Sequence, residues 1–240
     1  MGKDNILENK EYISFLYSSQ RRPKTDYPDK LAKHLHDTYY HGAGSLLDIG
    51  CGRGDMLKAF NNTGFTVAGT DISPVSIEIC KPHPVKVSNL ENEYLPFSDN
   101  EFDYVFSKSV IEHLHNPMPF LKQALRVLVP DGTAIIMTPS WVHTNWGPFY
   151  LDYTHVTPFT KPSLFDAMVM AGFEDVKVVH FRQLPFLWEQ PWLTLFVRAF
   201  AKLPLRYSPM YDINLPPKLN TFFRFSKEVM LLGVGRKPKE

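Results

Sequence analysis

Three groups of residues in this chain have the types and spacing to do chemistry. The first is a turn, Asp48-Ile49-Gly50-Cys51-Gly52-Arg53-Gly54, at the end of the apolar run "SLLDIG". Glycines at a strand-to-helix turn leave backbone N–H groups pointing outward and let an anion or nucleotide come close. The second is "VIEHLH", which brings Glu112, His113 and His115 together in sequence. The third is "DYTHVTPFT", residues 152–160, in which His155 follows Asp152 and precedes Phe159. Pro158, Pro162 and the lack of a helical period place His155 in a loop. An imidazole there can serve as a base, ligate a metal, or brace the turn by donating to a carbonyl, with Asp152 capping a nearby N–H.

The glycine spacing discriminates between cofactors. A dinucleotide fingerprint requires its third glycine one residue later, where this chain has Asp55, so the Gly-x-Gly-x-Gly run argues against NAD. Asp71 closes the following apolar segment, about 20 residues on, where a carboxylate can accept both hydroxyls of a ribose.

These residues need elements to hold them. Asp29 is expected to cap a helix running to about Tyr40, after a short helix over Glu8–Ser18. Strands are expected at Ser45–Gly50, Phe65–Asp71, Val85–Leu90 and Phe102–Ser107, and at "GTAIIMTP". Helices are expected from Asp55, at "SPVSIEIC" with Ser73 as N-cap and Pro74 first, and at "NPMPFLKQALRVL". Beyond Pro139 an aromatic-rich stretch leads to a helix, "KPSLFDAMVMAGF", with Ser163 as its cap, and to a strand, "DVKVVHFR". A helix, "PWLTLFVRAFAKLP", and a closing strand, "FSKEVMLLGVGRKP", follow. Alternating strands and helices predict an α/β fold, a parallel sheet covered by helices on both faces.

With 240 residues, 44% of them hydrophobic and 21% charged, the chain suits one α/β domain with a full core. The net charge of +1 supplies no nucleic-acid footprint. Two cysteines fit a reducing compartment, and the charged N-terminus has no signal-peptide h-region, so a cytoplasmic protein is expected. No apolar run reaches the roughly 18 residues of a membrane span.

The set "LLDIGCGRGDML", "VAGTDIS", "LPFSDNEFDYVFSKSVIEHL" and "LKQALRVLVPDGTAIIMTP" resembles the class I S-adenosylmethionine-dependent methyltransferases, in order, over roughly residues 44 to 182. The resemblance implies a Rossmann-like, seven-stranded sheet whose last strand is antiparallel. It implies one domain over residues 1–240: a helical cap (1–42), a cofactor-binding core (43–182), a helical insert (183–222) and a closing strand (223–240). The cofactor would be S-adenosylmethionine. Gly50, Gly52 and Gly54, with Cys51 between them, would pass beneath its methionine part, and Asp48 would hold the loop. Asp71 would take the ribose, Ile72 would pack on the adenine, Asn89 and Leu90 would meet its edge, and Ser107 would line the methionine end.

The resemblance is sharper to small-RNA 2′-O-methyltransferases and ubiquinone-pathway O-methyltransferases. In those enzymes a Glu-x-x-Glu-His segment and a later histidine gather a divalent metal. Here Glu112, His113 and His155 stand at these places, while Ser109 replaces the first glutamate. His155 and His113 are therefore expected as bases ahead of metal ligands. Trp146, Tyr150, Tyr153 and Asp152 are the candidate acceptor contacts. The chain is also similar to bacterial methyltransferases of surface polysaccharide and glycolipid assembly. That implies a sugar or glycan-linked acceptor first and a quinone or other aromatic hydroxyl second. The insert helix is expected to be buried or to cover a homodimer seam, ahead of a peripheral membrane contact.

Overall fold

The computed structural model describes residues 24–92, 94–204, 207 and 216–239. The helix expected over Glu8–Ser18 lies outside them.

The expected alternation is present. Helix α1 (Tyr27–Leu35) runs into a π-turn (His36–Tyr40), then β1 (Ser45–Ile49), α2 (Asp55–Asn62), β2 (Thr66–Asp71), α3 (Val75–Ile79) and β3 (Val85–Val87). After β4 (Phe102–Lys108) come a 3₁₀ turn (Ile111–His113), α4 (Pro117–Val127) and β5 (Leu128–Pro139). A short helix, α5 (Trp141–Thr144), and a 3₁₀ turn (Pro148–Leu151) precede α6 (Lys161–Ala171) and β6 (Glu174–Arg182). The insert contains α7 (Phe186–Glu189), a turn (Pro191–Leu193), α8 (Thr194–Ala201) and α9 (Pro217–Lys227), and β7 (Val229–Arg236) closes the chain.

The seven strands form one sheet in the order β3-β2-β1-β4-β5-β7-β6. All pairings are parallel except those of β7, which runs antiparallel to both β5 and β6. Successive residues of the central strands send their side chains to opposite faces, so both faces are apolar. Leu47, Val105 and Ile136 join Phe120, Leu121, Leu164 and Met168 on one side. Leu46, Phe106, Ile135 and Met137 join Leu31, Leu35, Leu57 and Phe60 on the other. The insert has a small core of its own, in which Leu184, Leu187 and Val197 pack against Phe222 and Phe225.

Several expected boundaries shift for local reasons. Asp29 sits inside the first turn of α1, because Pro28 sets the helical start and Asp26 takes the cap position. Helix α3 begins at Val75, where the Ser73 hydroxyl accepts from Val75 N at 3.3 Å, and Pro74 takes the cap position. The strand expected over Val85–Leu90 stops at Val87, since the chain turns at Asn89. The insert helix expected from Pro191 opens as a 3₁₀ turn (Pro191–Leu193) and becomes α-helical only at Thr194. Residues 223–227 belong to α9, and the closing strand starts only at Val229. The cap of α6 is Thr160, and Ser163 completes a reciprocal capping box.

That box generates a stability prediction. Thr160→Ala should lower the unfolding free energy by about 1 kcal/mol, and Thr160→Ser should recover most of it. Urea denaturation of the two variants measures the difference.

Candidate active site

The cofactor side is built where β1 and β2 end. Gly50 N and Cys51 N both donate to Thr70 O, at 2.7 and 3.1 Å, which folds the loop over the end of β2. Gly50 takes φ +81°, and a Cβ there would strike the Val110 side chain; at Gly54, with φ +79°, a Cβ would come 2.8 Å from Cys80 Sγ. Neither position tolerates another residue without displacing packed atoms. The Cys51 side chain is buried, its sulfur 2.8 Å from where a Cβ on Gly69 would stand, so only its backbone is offered to a ligand.

Asp71 locks this loop to β2. Its Oδ2 accepts from Gly52 N at 2.8 Å and its Oδ1 from Ser73 N at 2.9 Å. Both bonds come from backbone N–H groups, so the carboxylate that would meet a ribose also braces the glycine loop. Ile72, next in the chain, is 41% exposed despite its apolar side chain, as a surface for a flat ring requires. Asn89 Oδ1 accepts from Glu91 N at 3.1 Å, holding the turn that half-buries Leu90 beside it.

Ser107 departs from its expected role. It is 1% exposed and its hydroxyl donates to Ile49 O at 2.9 Å, so it ties β4 to the loop-bearing end of β1 instead of facing a ligand. Asp48 is buried in β1. Burial, reinforced by the nearby Asp71 carboxylate, pushes its pKa up to about 8, against the opposing pull of Lys108. Lys108, not anticipated from sequence, also lowers Glu112, so one cation bears on both halves of the site.

The acceptor side is the excursion between β5 and α6. Its ends are pinned by a parallel bridge between Ser140 and Phe159, with Trp141 N donating to Phe159 O at 2.8 Å. Val156 N and Thr157 N both donate to Glu112 O, at 2.9 and 3.0 Å, clamping the loop to the turn after β4. The clamp brings His113 and His155 edge to face, with ring centroids 4.6 Å apart.

The tautomers of both rings follow from their partners. His155 Nδ1 lies 2.6 Å from Phe149 O, and since a carbonyl only accepts, Nδ1 carries the proton and Nε2 is the ring's acceptor. Thr154 Oγ1 donates to Asp152 Oδ1 at 2.6 Å, so the Thr154 oxygen accepts from His113 Nδ1 at 2.8 Å. His113 Nε2 is again the acceptor. Burial raises the Asp152 carboxyl, but the Thr154 hydroxyl and amide and the two histidines more than offset it and leave its pKa lowered. Asp152 is thus an ionised brace for the Thr154–His113 pair.

Glu112 lies beneath the pair with no exposure. Its Oε2 accepts from Thr138 Oγ1 at 2.9 Å, whereas its buried Oε1 has no partner. Burial raises its pKa to about 7, with Thr138 and Lys108 opposing. One ligand atom each from Glu112, His113 and His155 all lie within 4.8 Å of one another. His115 lies apart, exposed, with its ring 3.2 Å from Glu91 Oε1.

The aromatic residues divide. Phe149 packs on His155 at 4.8 Å between centroids, and Tyr150 and Trp141 pack on Phe149. Trp146 turns elsewhere, against Tyr207 at 5.9 Å, and Tyr153 is 83% exposed. Tyr150 is thus linked to His155 only through Phe149, while Trp146 lines a cavity with His143 and Arg198. Thr154 and the Phe149 carbonyl were missed in the sequence; a hydroxyl residue one position before a histidine was the only signal.

A glycine turn at the carboxyl ends of parallel strands, braced by a carboxylate at the end of the next strand, is the build of a Rossmann-like nucleotide-cofactor fold. The chain belongs to the methyltransferase-domain family, whose model matches residues 8–178. It is 33% identical over 112 residues to the demethylmenaquinone methyltransferase of Tropheryma whipplei (strain Twist), covering 45% of this chain and 47% of that one. It is 34% identical over 101 residues to the ubiquinone biosynthesis O-methyltransferase of Caulobacter sp. (strain K31), covering 39% and 40%. The chain thus matches less than half the length of these curated relatives. Its fold is similar to that of a SAM-dependent methyltransferase from Archaeoglobus fulgidus, with a TM-score of 0.64, 21% identity, and 93% and 99% of the two chains covered. The domain is a S-adenosylmethionine-dependent methyltransferase domain, and its cradle and two carboxylates fit that cofactor.

Asp48 generates a test of this fit. Its folded pKa of about 8 exceeds the ordinary 3.8, so the stability it contributes is fully present below the unfolded value and is lost as pH rises toward 8. The ligand-free protein should therefore melt at lower temperature as pH rises from 6 to about 8, and Asp48→Asn should flatten that slope. Binding of the sulfonium cation at pH 7 should release a proton, seen by calorimetry in two buffers of different ionisation heat. Equal release from the Asn variant would refute the assignment.

Proposed function

We propose that the chain methylates a hydroxyl oxygen of a small-molecule acceptor, with His155 as general base. A sugar or glycan-linked hydroxyl is the first reading and a quinone or other ring hydroxyl the second. The observation that carries the proposal is the bond from His155 Nδ1 to Phe149 O, at 2.6 Å. It fixes the tautomer in which Nε2 is the basic nitrogen, without using a carboxylate for the purpose.

Bound S-adenosylmethionine supplies a methyl group already activated as a sulfonium. The residues of the chain then have two tasks, to align the acceptor oxygen and to take its proton. His155 Nε2 receives the proton as the oxygen–methyl bond forms and the carbon–sulfur bond breaks, with the electron pair remaining on sulfur. His113, held by Thr154 and Asp152, stands 4.6 Å away and can position the same hydroxyl. The wall of Phe149, Trp141 and Tyr150 excludes water on the His155 side.

The relatives named for ubiquinone and demethylmenaquinone chemistry align over roughly half of their own length, so they support the transferase reading more than any acceptor. The glycan reading rests on a sequence resemblance of residues 152–164 and the closing segment alone, and the relatives above are not named for glycan acceptors.

A metal-assisted version is favoured by one observation, the unpartnered Glu112 Oε1 beside two imidazoles whose Nδ1 protons are tied down. Histidines that bind metals through Nε2 usually donate Nδ1–H in this way. Glu112, His113 and His155 would hold the ion, with water completing its shell. The ion would lower the pKa of the acceptor hydroxyl.

Release of S-adenosylhomocysteine over a panel of glycans, nucleotide sugars and phenols tests the proposal. His155→Ala should reduce kcat by roughly 10²- to 10⁴-fold with cofactor affinity unchanged. Thr154→Val should cost less, since it loosens His113 only. Turnover that survives both His155→Ala and His113→Ala removes the bases. Full activity after dialysis against EDTA, with no metal in the dialysed protein by elemental analysis, disposes of the metal version.

A further inference from the structure

A second cluster of titratable groups lies away from the histidine pair. Val142, His143 and Trp146, on the segment carrying the acceptor loop, line one side of a cavity of about 650 Å³. Arg182 at the end of β6, Arg198 on α8 with Lys202 at its C-terminal cap, and Lys227 at the end of α9 line the rest, with Tyr207. Four cationic side chains thus meet from three elements of a chain whose net charge is only +1.

The arrangement is not explained by internal pairing. Among the described residues no carboxylate forms an ion pair with Arg182, Arg198 or Lys202. Glu228 accepts from the Tyr207 hydroxyl at 2.9 Å and from Arg224 Nε at 2.8 Å, which occupies both of its oxygens. Lys227 Nζ donates to Leu203 O at 2.8 Å, which secures the end of the α8 segment. Arg182 is half-buried, and its Nε is buried without a hydrogen-bond partner. Arg198 and Lys202 stand four residues apart on one helical face, a spacing at which like charges destabilise a helix.

His143 lines the cavity, and His180 is its ring neighbour. His143 and His180 pack with ring centroids 4.8 Å apart. Burial lowers both, and Arg182 and Arg198 lower both further, His143 to about 4. Both are neutral at physiological pH, so the guanidinium and ammonium groups carry the positive field.

A half-buried guanidinium with an unmet N–H, facing other cations across a cavity, is costly unless an anion is bound. Phosphate fits the donor set best, because guanidinium groups give parallel N–H donors and an ammonium adds a point charge. We propose that this cavity binds the phosphate or diphosphate group of a phosphorylated acceptor, with Arg182, Arg198 and Lys202 as its donors. The link to the acceptor rests on the proposed function, since Val142, His143 and Trp146 belong to the segment that also carries His155. The anion site itself stands on the cavity alone.

The test uses the full chain and sodium pyrophosphate at constant ionic strength, followed by calorimetry. Saturable binding is expected, weakened about tenfold or more in Arg198→Gln and in Lys202→Gln while S-adenosylmethionine binding is retained. His155→Ala should bind pyrophosphate like the wild type. No saturable binding, or equal binding by the wild type and both variants, overturns the site. Cosedimentation with phosphatidylcholine vesicles, with and without phosphatidic acid, distinguishes the source of the phosphate. Retention only with phosphatidic acid, lost in Arg198→Gln, identifies a lipid-borne group, and pyrophosphate binding without retention identifies a soluble one; both support the site. Among acceptors, the KM of a phosphate-bearing one should rise about tenfold in Arg198→Gln with kcat unchanged. Turnover confined to phosphate-free acceptors overturns the link while leaving the anion site standing. Pyrophosphate binding without any methyl transfer refutes the proposed function and not the pocket.

Discussion

The acceptor half of this molecule depends on one carbonyl oxygen. Val156 N and Thr157 N converge on Glu112 O, and the Thr157 hydroxyl adds a bond to Leu114 O at 2.5 Å. Each such bond is worth only about 1 kcal/mol net. Together they join the loop after β5 to the turn after β4, segments some forty positions apart in sequence. Everything chemical on that side is downstream of the clamp. Thr154 reaches His113 only because its neighbours are held, and His155 lies over His113 for the same reason. The clamp uses the backbone of Glu112, which leaves the side chain of the same residue for the site.

The cofactor half follows the same logic with a carboxylate in place of a carbonyl. Asp71 accepts from Gly52 N and Ser73 N, so the residue that would meet a ribose also fixes the loop that would pass beneath the methionine. Between the halves lie two buried acids, Asp48 and Glu112, both raised by burial and both opposed by Lys108. Acids held near neutrality next to a cationic cofactor site can change charge when it fills, which a fully ionised or fully exposed pair could not do.

Local signals made much of this legible in the sequence. The glycine turn, Asp71 and the alternating strands depend on a few adjacent residues, and the sheet and cradle stand where those residues put them. Glu112, His113 and His155 were expected to converge, and they do. Element ends were less legible. A cap at Thr160 and a first turn of 3₁₀ at Pro191–Leu193 are set by local choices within one or two positions. Side-chain direction was hardest to read. Trp146, Tyr150 and Tyr153 fall within eight residues, yet one faces Tyr207, one packs on Phe149 and one faces solvent. The net charge concealed the cationic cavity, because a sum over the chain cannot show that Arg182, Arg198 and Lys202 are gathered by three-dimensional packing.

The division of labour along residues 141–155 has an electrostatic reason. A histidine base must keep its acceptor nitrogen unprotonated, and a phosphate set against it would favour the protonated form. In this chain Phe149, backed by Trp141 and Tyr150, packs on His155, while His143 and Trp146 line the cationic cavity. An anion held among Arg182, Arg198 and Lys202 would be neutralised where it binds. The acceptor could then be gripped by its charged end without shifting the group that removes its proton. Binding energy from that remote end would be shared by the bound acceptor and the transition state, so it would lower KM and leave the chemical step to the histidines.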